Sequence, residues 1–393
     1  MSNIKRKILV IGATGFVGRR FCQTLINRKY YERYELIFTA RSKSKFDQLF
    51  PDLNCINIKF EELDTFNQRE VDELIKQKYA VCNFVGPFAK YAPNIIAACA
   101  KYGVHYLDIT GEINFIKNMI LKHDEEAKKN GASIIPFSGF DSVPSDLGVH
   151  LIKKKINQLH NEDIQKAHIV YNAKGGINGG TIASAFESIS TISKEEMMNL
   201  HYLCPNERAY FPPLENKFRK NQTGQFVAPF FMEPINNKIV YRTKFLADHK
   251  GYAKNFIYEE SMYTNAKLSF ISSLIVQKSL DLTDFLMKKK ATSKVLRKIL
   301  PKPGQGPSEK AINNGFFNAE VVGISRSGKI ESLTLKASGD PGNKATVNLV
   351  LLCLECLCEI NNPPPGFQTP VSCFGDRLEK NMNNFELSIK EHK

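Results

Sequence analysis

Short apolar runs alternate with longer stretches of helical spacing through the first third of the chain. The runs Lys7–Ile11, Glu35–Thr39, Cys55–Phe60, Ala80–Val85, Val104–Ile109 and Ser133–Phe137 predict strands, and the solidly apolar ones suit a sheet buried on both faces. Between them, apolar residues three and four apart predict helices over Phe16–Asn27, Pro93–Tyr102 and Ile113–Asn130, the last closed by Gly131. Strands separated by helices of this length pair in parallel through right-handed crossovers, so residues 1–155 are expected to form a doubly wound α/β domain.

Past Lys155 three lysines and a polar run to Asp163 break this alternation. Ala167–Asn172 reads as a strand, and a glycine-rich turn, Gly175–Gly180, leads into a helix from Thr181 to about Ser193. Pro205–Pro234 is rich in Pro, Asn and Lys around a Phe-Val-Ala-Pro-Phe-Phe-Met patch and reads as a lid or binding surface. Phe316–Ile324 and Lys329–Ser338 predict a hairpin across Ser325-Arg-Ser-Gly328. These elements outline an α+β unit over 156–342, for substrate binding or dimerisation, and a C-terminal segment, 343–393, that begins with the apolar helix Ala345–Glu359. Phe385–Ile389 is strand-like without an evident partner.

The first strand runs directly into Gly12-Ala-Thr14-Gly15-Phe16-Val-Gly18. A strand that meets a glycine turn and then a helix makes a diphosphate site, because the first helical N–H groups are unpaired and carry the positive end of the helix dipole. Gly12 is expected to permit the turn, Gly15 the close approach of a ligand, and Gly18 the packing of helix on strand, with Thr14 and Phe16 beside them. The spacing is G-x-x-G-x-x-G rather than G-x-G-x-x-G. At the end of the second strand, Thr39-Ala40-Arg41-Ser42-Lys43-Ser44-Lys45 carries no carboxylate for a ribose 2′-hydroxyl; Arg41, Ser42 and Lys45 suit a 2′-phosphate. The cofactor implied is NADP, with NAD as the alternative. The fourth strand ends in Asn83-Phe84-Val85-Gly86-Pro87, expected along the path to the nicotinamide. The next two end in Asp108-Ile-Thr110-Gly-Glu112 and in Ser138-Gly-Phe-Asp141-Ser142-Val-Pro144-Ser-Asp146, whose polar side chains read either as helix caps or as ligand contacts. Tyr91, Asp108, Glu112 and Asp141 are the candidate proton handlers.

Composition narrows the classes. A chain of 393 residues with 42% hydrophobic content can bury two cores. The net charge of +14 is scattered, with no basic run interleaved with aromatics, which argues against a nucleic-acid reader. The nine cysteines fall mostly in apolar runs, and Cys353-x-x-Cys356-x-Cys358 has no second pair at zinc spacing, so they read as reduced core thiols in a cytosolic setting. No H-E-x-x-H or G-x-S-x-G pattern occurs, and no metal site is expected.

Taken together and in order, Gly12–Gly18, Val85-Gly-Pro-Phe88 with Tyr91, Gly103-Val-His-Tyr-Leu-Asp-Ile-Thr-Gly-Glu112 and Ser138–Asp146 resemble the saccharopine dehydrogenase-like oxidoreductases, a family that includes bacterial trans-acting enoyl reductases. The likeness continues in Gly180-Thr181-x-x-Ser184, Gly306-Pro-Ser-Glu309, Ser338-Gly-Asp-Pro-Gly342 with Thr346, and Pro364-Pro-Gly366. It implies a Rossmann domain with an inserted substrate domain and a C-terminal helix that returns to the first sheet. It also implies a cofactor held by Gly12, Thr14, Gly15, Phe16 and Gly18, with Val85, Gly86 and Pro87 on the nicotinamide side.

The arginines after residue 155 are widely separated, whereas a dicarboxylic amino acid would need them clustered. An apolar, lipid-like acyl substrate with a reducible double bond is therefore expected, with a C–N dehydrogenase and a non-catalytic nucleotide-binding protein as alternatives. Leu268–Met287 is amphipathic and followed by Lys288-Lys-Lys290, which suits packing on its own domain or a partner subunit, or an anionic membrane surface. Packing on its own domain or a partner is the expectation; in the resembled family, animal members associate with lipid droplets and other membranes, which adds weight to the surface alternative.

Overall fold

The computed structural model describes residues 5–51, 53, 58–176, 178–211, 219–221, 223–264, 271–276, 278, 279, 286, 292, 296, 298–302 and 304–392. The N-terminal domain is built as the alternation predicts. It runs β1 (Lys7–Ile11), α1 (Phe16–Asn27), β2 (Glu35–Ala40), α2 (Lys43–Leu49), β3 (Ile58–Glu62), α3 (Gln68–Ile75), β4 (Ala80–Asn83), α4 (Phe88–Tyr91), α5 (Pro93–Tyr102), β5 (His105–Asp108), α6 (Ile113–Asn130) and β6 (Ser133–Ile135). Gly131 closes α6 at φ 78°. The third strand starts later than the apolar run suggests, and residues 54–57 of that run lie outside the described ones.

The first sheet has seven strands rather than six. The added one is β13 (Gly366–Phe367), which lies parallel to β6 with Gly366 opposite Ser133. Its order, β13-β6-β5-β4-β1-β2-β3, reverses at β1, placing a crevice over the carboxyl ends of β1 and β4.

The helix α7 (Val143–His160) leaves this domain and packs on a second sheet, so a boundary at residue 155 falls inside a helix. Gly148 makes that packing close: a Cβ there would lie 3.0 Å from Val321 Cγ2. The second unit contains β7 (Ile164–Lys174), α8 (Gly179–Thr191), α9 (Lys194–Met198), β8 (Arg219–Lys220), β9 (Phe226–Pro229), α10 (Glu233–Leu246), β10 (Tyr252–Met262), α11 (Glu309–Asn313), β11 (Phe316–Ser325) and β12 (Ile330–Ser338). Its sheet is mixed, with β7 and β10 parallel and β11 and β12 forming the expected hairpin, Ile324 opposite Ile330.

The C-terminal segment serves both sheets. After one π-helical turn at Pro341–Ala345, the helix α12 (Thr346–Glu359) buries almost every residue against α1 and β5, returning to the first domain. Cys353 and Cys356 are among those buried residues, as core packing requires. The strand-like run near 385–389 becomes β14 (Leu387–Glu391) at the edge of the second sheet, with Leu335 opposite Ile389. Within 268–287, only residues 271–276, 278, 279 and 286 are described, so the predicted amphipathic helix lies largely outside the described residues. Among the described residues, no helix is long and apolar enough to cross a membrane.

Candidate active site

The glycine turn has the geometry its sequence implies. Gly12 sits at φ 89°, and a Cβ on it would meet Val85 Cγ2 at 2.7 Å. On Gly15 a Cβ would lie 3.2 Å from the Gly12 carbonyl oxygen, and on Gly18 only 2.2 Å from the same atom. Gly15 starts α1, and no side chain caps that end of the helix. A bare, uncapped helix start beside a positive-φ glycine fits a diphosphate, whose oxygens would take the place of a capping side chain.

This cradle opens into a cleft of about 1680 Å³ between the two sheets. That exceeds the roughly 300–1000 Å³ of a single-ligand site, leaving room for a second molecule beside a dinucleotide. One end is lined by Gly12, Thr14, Gly15 and Phe16, then by Arg41 and Lys45 at the end of β2. The middle is lined by Val85, Gly86, Pro87 and Tyr91, opposite Ile109, Gly139 and Asp141. The far wall comes from the second unit and is largely apolar: Ile182, Met197, Met198 and Phe230–Met232 line it.

Not every residue expected at the site lines this cleft. Gly18 lies under the turn. The hydroxyl of Ser42 caps α2, accepting from Lys45 N at 3.3 Å. Asn83 is buried; its Oδ1 accepts from Val85 N at 3.0 Å, and its Nδ2 donates to Tyr106 OH at 3.0 Å. Tyr106 OH in turn donates to Asp108 Oδ2 at 2.8 Å, while Asp108 Oδ1 accepts from Thr110 N at 3.0 Å and Phe137 N at 3.2 Å. This chain ties the ends of β4, β5 and β6 together, and holds Phe137 at φ 65°, a costly conformation for a bulky residue. Burial pushes the Asp108 carboxyl up to about 7, against the pull of its donors. The Glu112 carboxylate accepts from Phe88 N and Ala89 N at 2.8 Å each, serving as the cap that α4 lacks in its own sequence. Burial raises its pKa too. Among the four candidate proton handlers, the structure brings Tyr91 and Asp141 into the cleft wall and sets Asp108 and Glu112 behind it.

Asp141 stands in the loop between β6 and α7, and burial alone pushes its carboxyl up to about 6. A carboxyl held near neutrality by partial burial, at the wall of a cleft, is suited to give up a proton. The Tyr91 ring packs against Phe66, with centroids 5.3 Å apart.

Sequence reasoning gave the second unit to the substrate and read the Phe-Val-Ala-Pro-Phe-Phe-Met stretch as a lid or binding surface, without naming the side chains that meet the cofactor domain. Gly180-Thr-x-x-Ser184 starts α8 along the cleft, the Phe-Val-Ala-Pro-Phe-Phe-Met patch supplies the far wall, and Gly342 with Thr346 lies beside Gly139. The glycines before α8 allow close approach: a Cβ on Gly179 would lie 2.0 Å from the Lys302 carbonyl oxygen.

A parallel dinucleotide sheet with this cradle, basic residues at the β2 end and a second mixed sheet closing the cleft defines an NADP-dependent oxidoreductase. Residues 8–135 match the family model of the saccharopine dehydrogenase NADP binding domain. Over 408 residues the chain is 27% identical to a trans-acting enoyl reductase of Mycobacterium ulcerans, covering 96% of each chain. It is 25% identical over 398 residues to a trans-acting enoyl reductase of Mycobacterium bovis, covering 94% of each. Its fold is that of saccharopine dehydrogenase (L-Glu forming) from Saccharomyces cerevisiae, with a TM-score of 0.56 at 11% identity, covering 99% of this chain and 100% of that one. The resemblance read from the ordered motifs thus extends to the full chain.

Proposed function

We propose that the protein reduces the carbon–carbon double bond of an apolar acyl substrate, using NADPH. The observation that carries this reading is the division of one cleft into a glycine- and cation-lined end and an apolar end, with Asp141 between them. The cofactor, when bound, supplies the hydride. Gly12, Thr14 and Gly15 would hold its diphosphate, Arg41 and Lys45 its 2′-phosphate, and Val85–Pro87 would orient its nicotinamide. Ile182, Met197, Met198, Phe231 and Met232 would take the acyl chain and keep water from the reacting carbons. Asp141, protonated below about pH 6, gives the proton that completes the reduction.

The competing reaction on the C–N bond of a dicarboxylic amino acid is less well served. Among the described residues, Arg41 is the one arginine in the cleft wall, and it stands at the cofactor end. Buried Arg242 is occupied by the carbonyls of Leu203 and Phe367. The names of the mycobacterial relatives also favour the enoyl reading. The test is NADPH oxidation with long-chain 2-enoyl thioesters against an imine of glutamate. Turnover of the thioester, falling as pH rises through about 6 and lost in Asp141→Asn, is expected. Turnover of the imine alone would replace this reading with the C–N reaction.

A further inference from the structure

Under the cleft lies a buried polar cluster that the reaction above does not use. Glu260 of β10 is fully buried, and its carboxylate accepts from Ser145 Oγ and Tyr258 OH and from Asn236 Nδ2, the last at 3.1 and 3.2 Å. Ser145 Oγ lies 2.7 Å from Tyr171 OH and accepts from Asn236 Nδ2 at 3.1 Å. Asn236 Oδ1 accepts from Ser142 Oγ at 3.3 Å. Ser142 starts α7 and directly follows Asp141. The cluster therefore joins β10, β7 and α10 of the second unit to the first turn of α7, next to the acid in the cleft wall.

Hydrogen bonds that meet at one buried carboxylate fix their donors in position, since a donor that shifts is left unpaired in the interior. We propose that Glu260 is a positioning residue for Asp141: through Asn236 and Ser145 it fixes the first turn of α7 and so keeps the Asp141 carboxyl in its partly buried place in the cleft wall. This rests on the reading of Asp141 as the proton donor. Among the described residues, groups facing Glu260 include Glu233 of α10, which accepts from Glu260 N at 3.2 Å, Tyr171 of β7, Tyr258 of its own strand, and Ser145 and Asn236. Burial first, and Glu233 to a lesser degree, push Glu260 up to about 7 against these hydrogen bonds. Burial is also what raises Asp141, so loosening the turn would admit water and lower it.

The test is pH-difference infrared spectroscopy of the protonated carboxyl band in the full chain, with the Asp141 component identified by its loss in Asp141→Asn. In Glu260→Gln, and in the milder Ser142→Ala, that component is expected to fall from about 6 toward the ordinary aspartate range. Tyr258→Phe, which leaves the Asn236–Ser142 link intact, should leave it in place. An Asp141 midpoint equal to wild type in both Glu260→Gln and Ser142→Ala, each folded by near-ultraviolet circular dichroism, overturns the proposal. Failure of the donor reading would show separately, as undiminished thioester reduction by Asp141→Asn.

Discussion

A carboxylate that accepts several hydrogen bonds in the dark of a sheet end is hard to replace, and Asp108 shows why. Its Oδ1 is the acceptor for two backbone N–H groups, so Asp108→Ala orphans both. At about 1–3 kcal/mol for each buried unpaired donor, the variant should lose roughly 3 kcal/mol in urea unfolding. Asp108→Asn keeps that oxygen and should lose far less. The sign of the pH dependence follows from the raised pKa. Its folded value, about 7, lies above the ordinary 3.8, so its contribution to stability is complete below about pH 4 and is lost as pH rises through 7. Asp108→Asn should therefore flatten the decline of the wild-type stability curve between about pH 4 and 7, the window those two values set. Equal slopes for both proteins would show that Asp108 does not titrate in this range. The same residue shows where local pattern stops. Asp108 and Asp141 both follow apolar runs next to glycine, and nothing in either stretch says that one ties strand ends together while the other lines the cleft.

Elements were more legible than single side chains. The helices α1, α5 and α6 have the bounds their periodicity predicts, because each is an amphipathic run, and Gly103 and Gly131 stop the last two. Glycine roles were legible too, and they make a paired prediction. Gly18→Ala would place a Cβ 2.2 Å from the Gly12 carbonyl oxygen, which must push α1 off the turn. Gly131→Ala meets nothing within 4 Å and suffers only from φ 78°, a strain of about 1 kcal/mol. Isothermal titration with NADPH should find binding lost in Gly18→Ala and intact in Gly131→Ala. Retained affinity in the former would mean that the α1 start is not the diphosphate site. The short strands β13 and β14 were not placed from sequence, since two to five residues carry no periodicity and each is defined by a partner far along the chain.

For the whole molecule, the relevant fact is that one cleft draws its walls from both units. Phe231 is half exposed on the apolar side and remote in sequence from the glycine turn. Phe231→Asp should raise KM for long-chain enoyl thioesters at least tenfold while leaving the NADPH dissociation constant unchanged, because burying an apolar chain against a carboxylate forfeits on the order of 1.5 kcal/mol or more. A parallel loss of both affinities would point to damage across the cleft rather than to an acyl wall.

Sequence by itself determined the dinucleotide domain, the glycine cradle and the basic end of β2, since each depends on residues adjacent in the chain and on backbone sterics that act locally. Only the tertiary structure decided which carboxyl groups meet the cleft, Asp141 from the first domain and Glu233 from the second unit. It also decided that residues 229–235 with Leu300, Pro301 and Gly304 form a wall with the first domain, and that β13 and β14 complete the two sheets. These outcomes depend on burial and on contacts between residues a hundred or more positions apart, and such distances leave no mark on local periodicity.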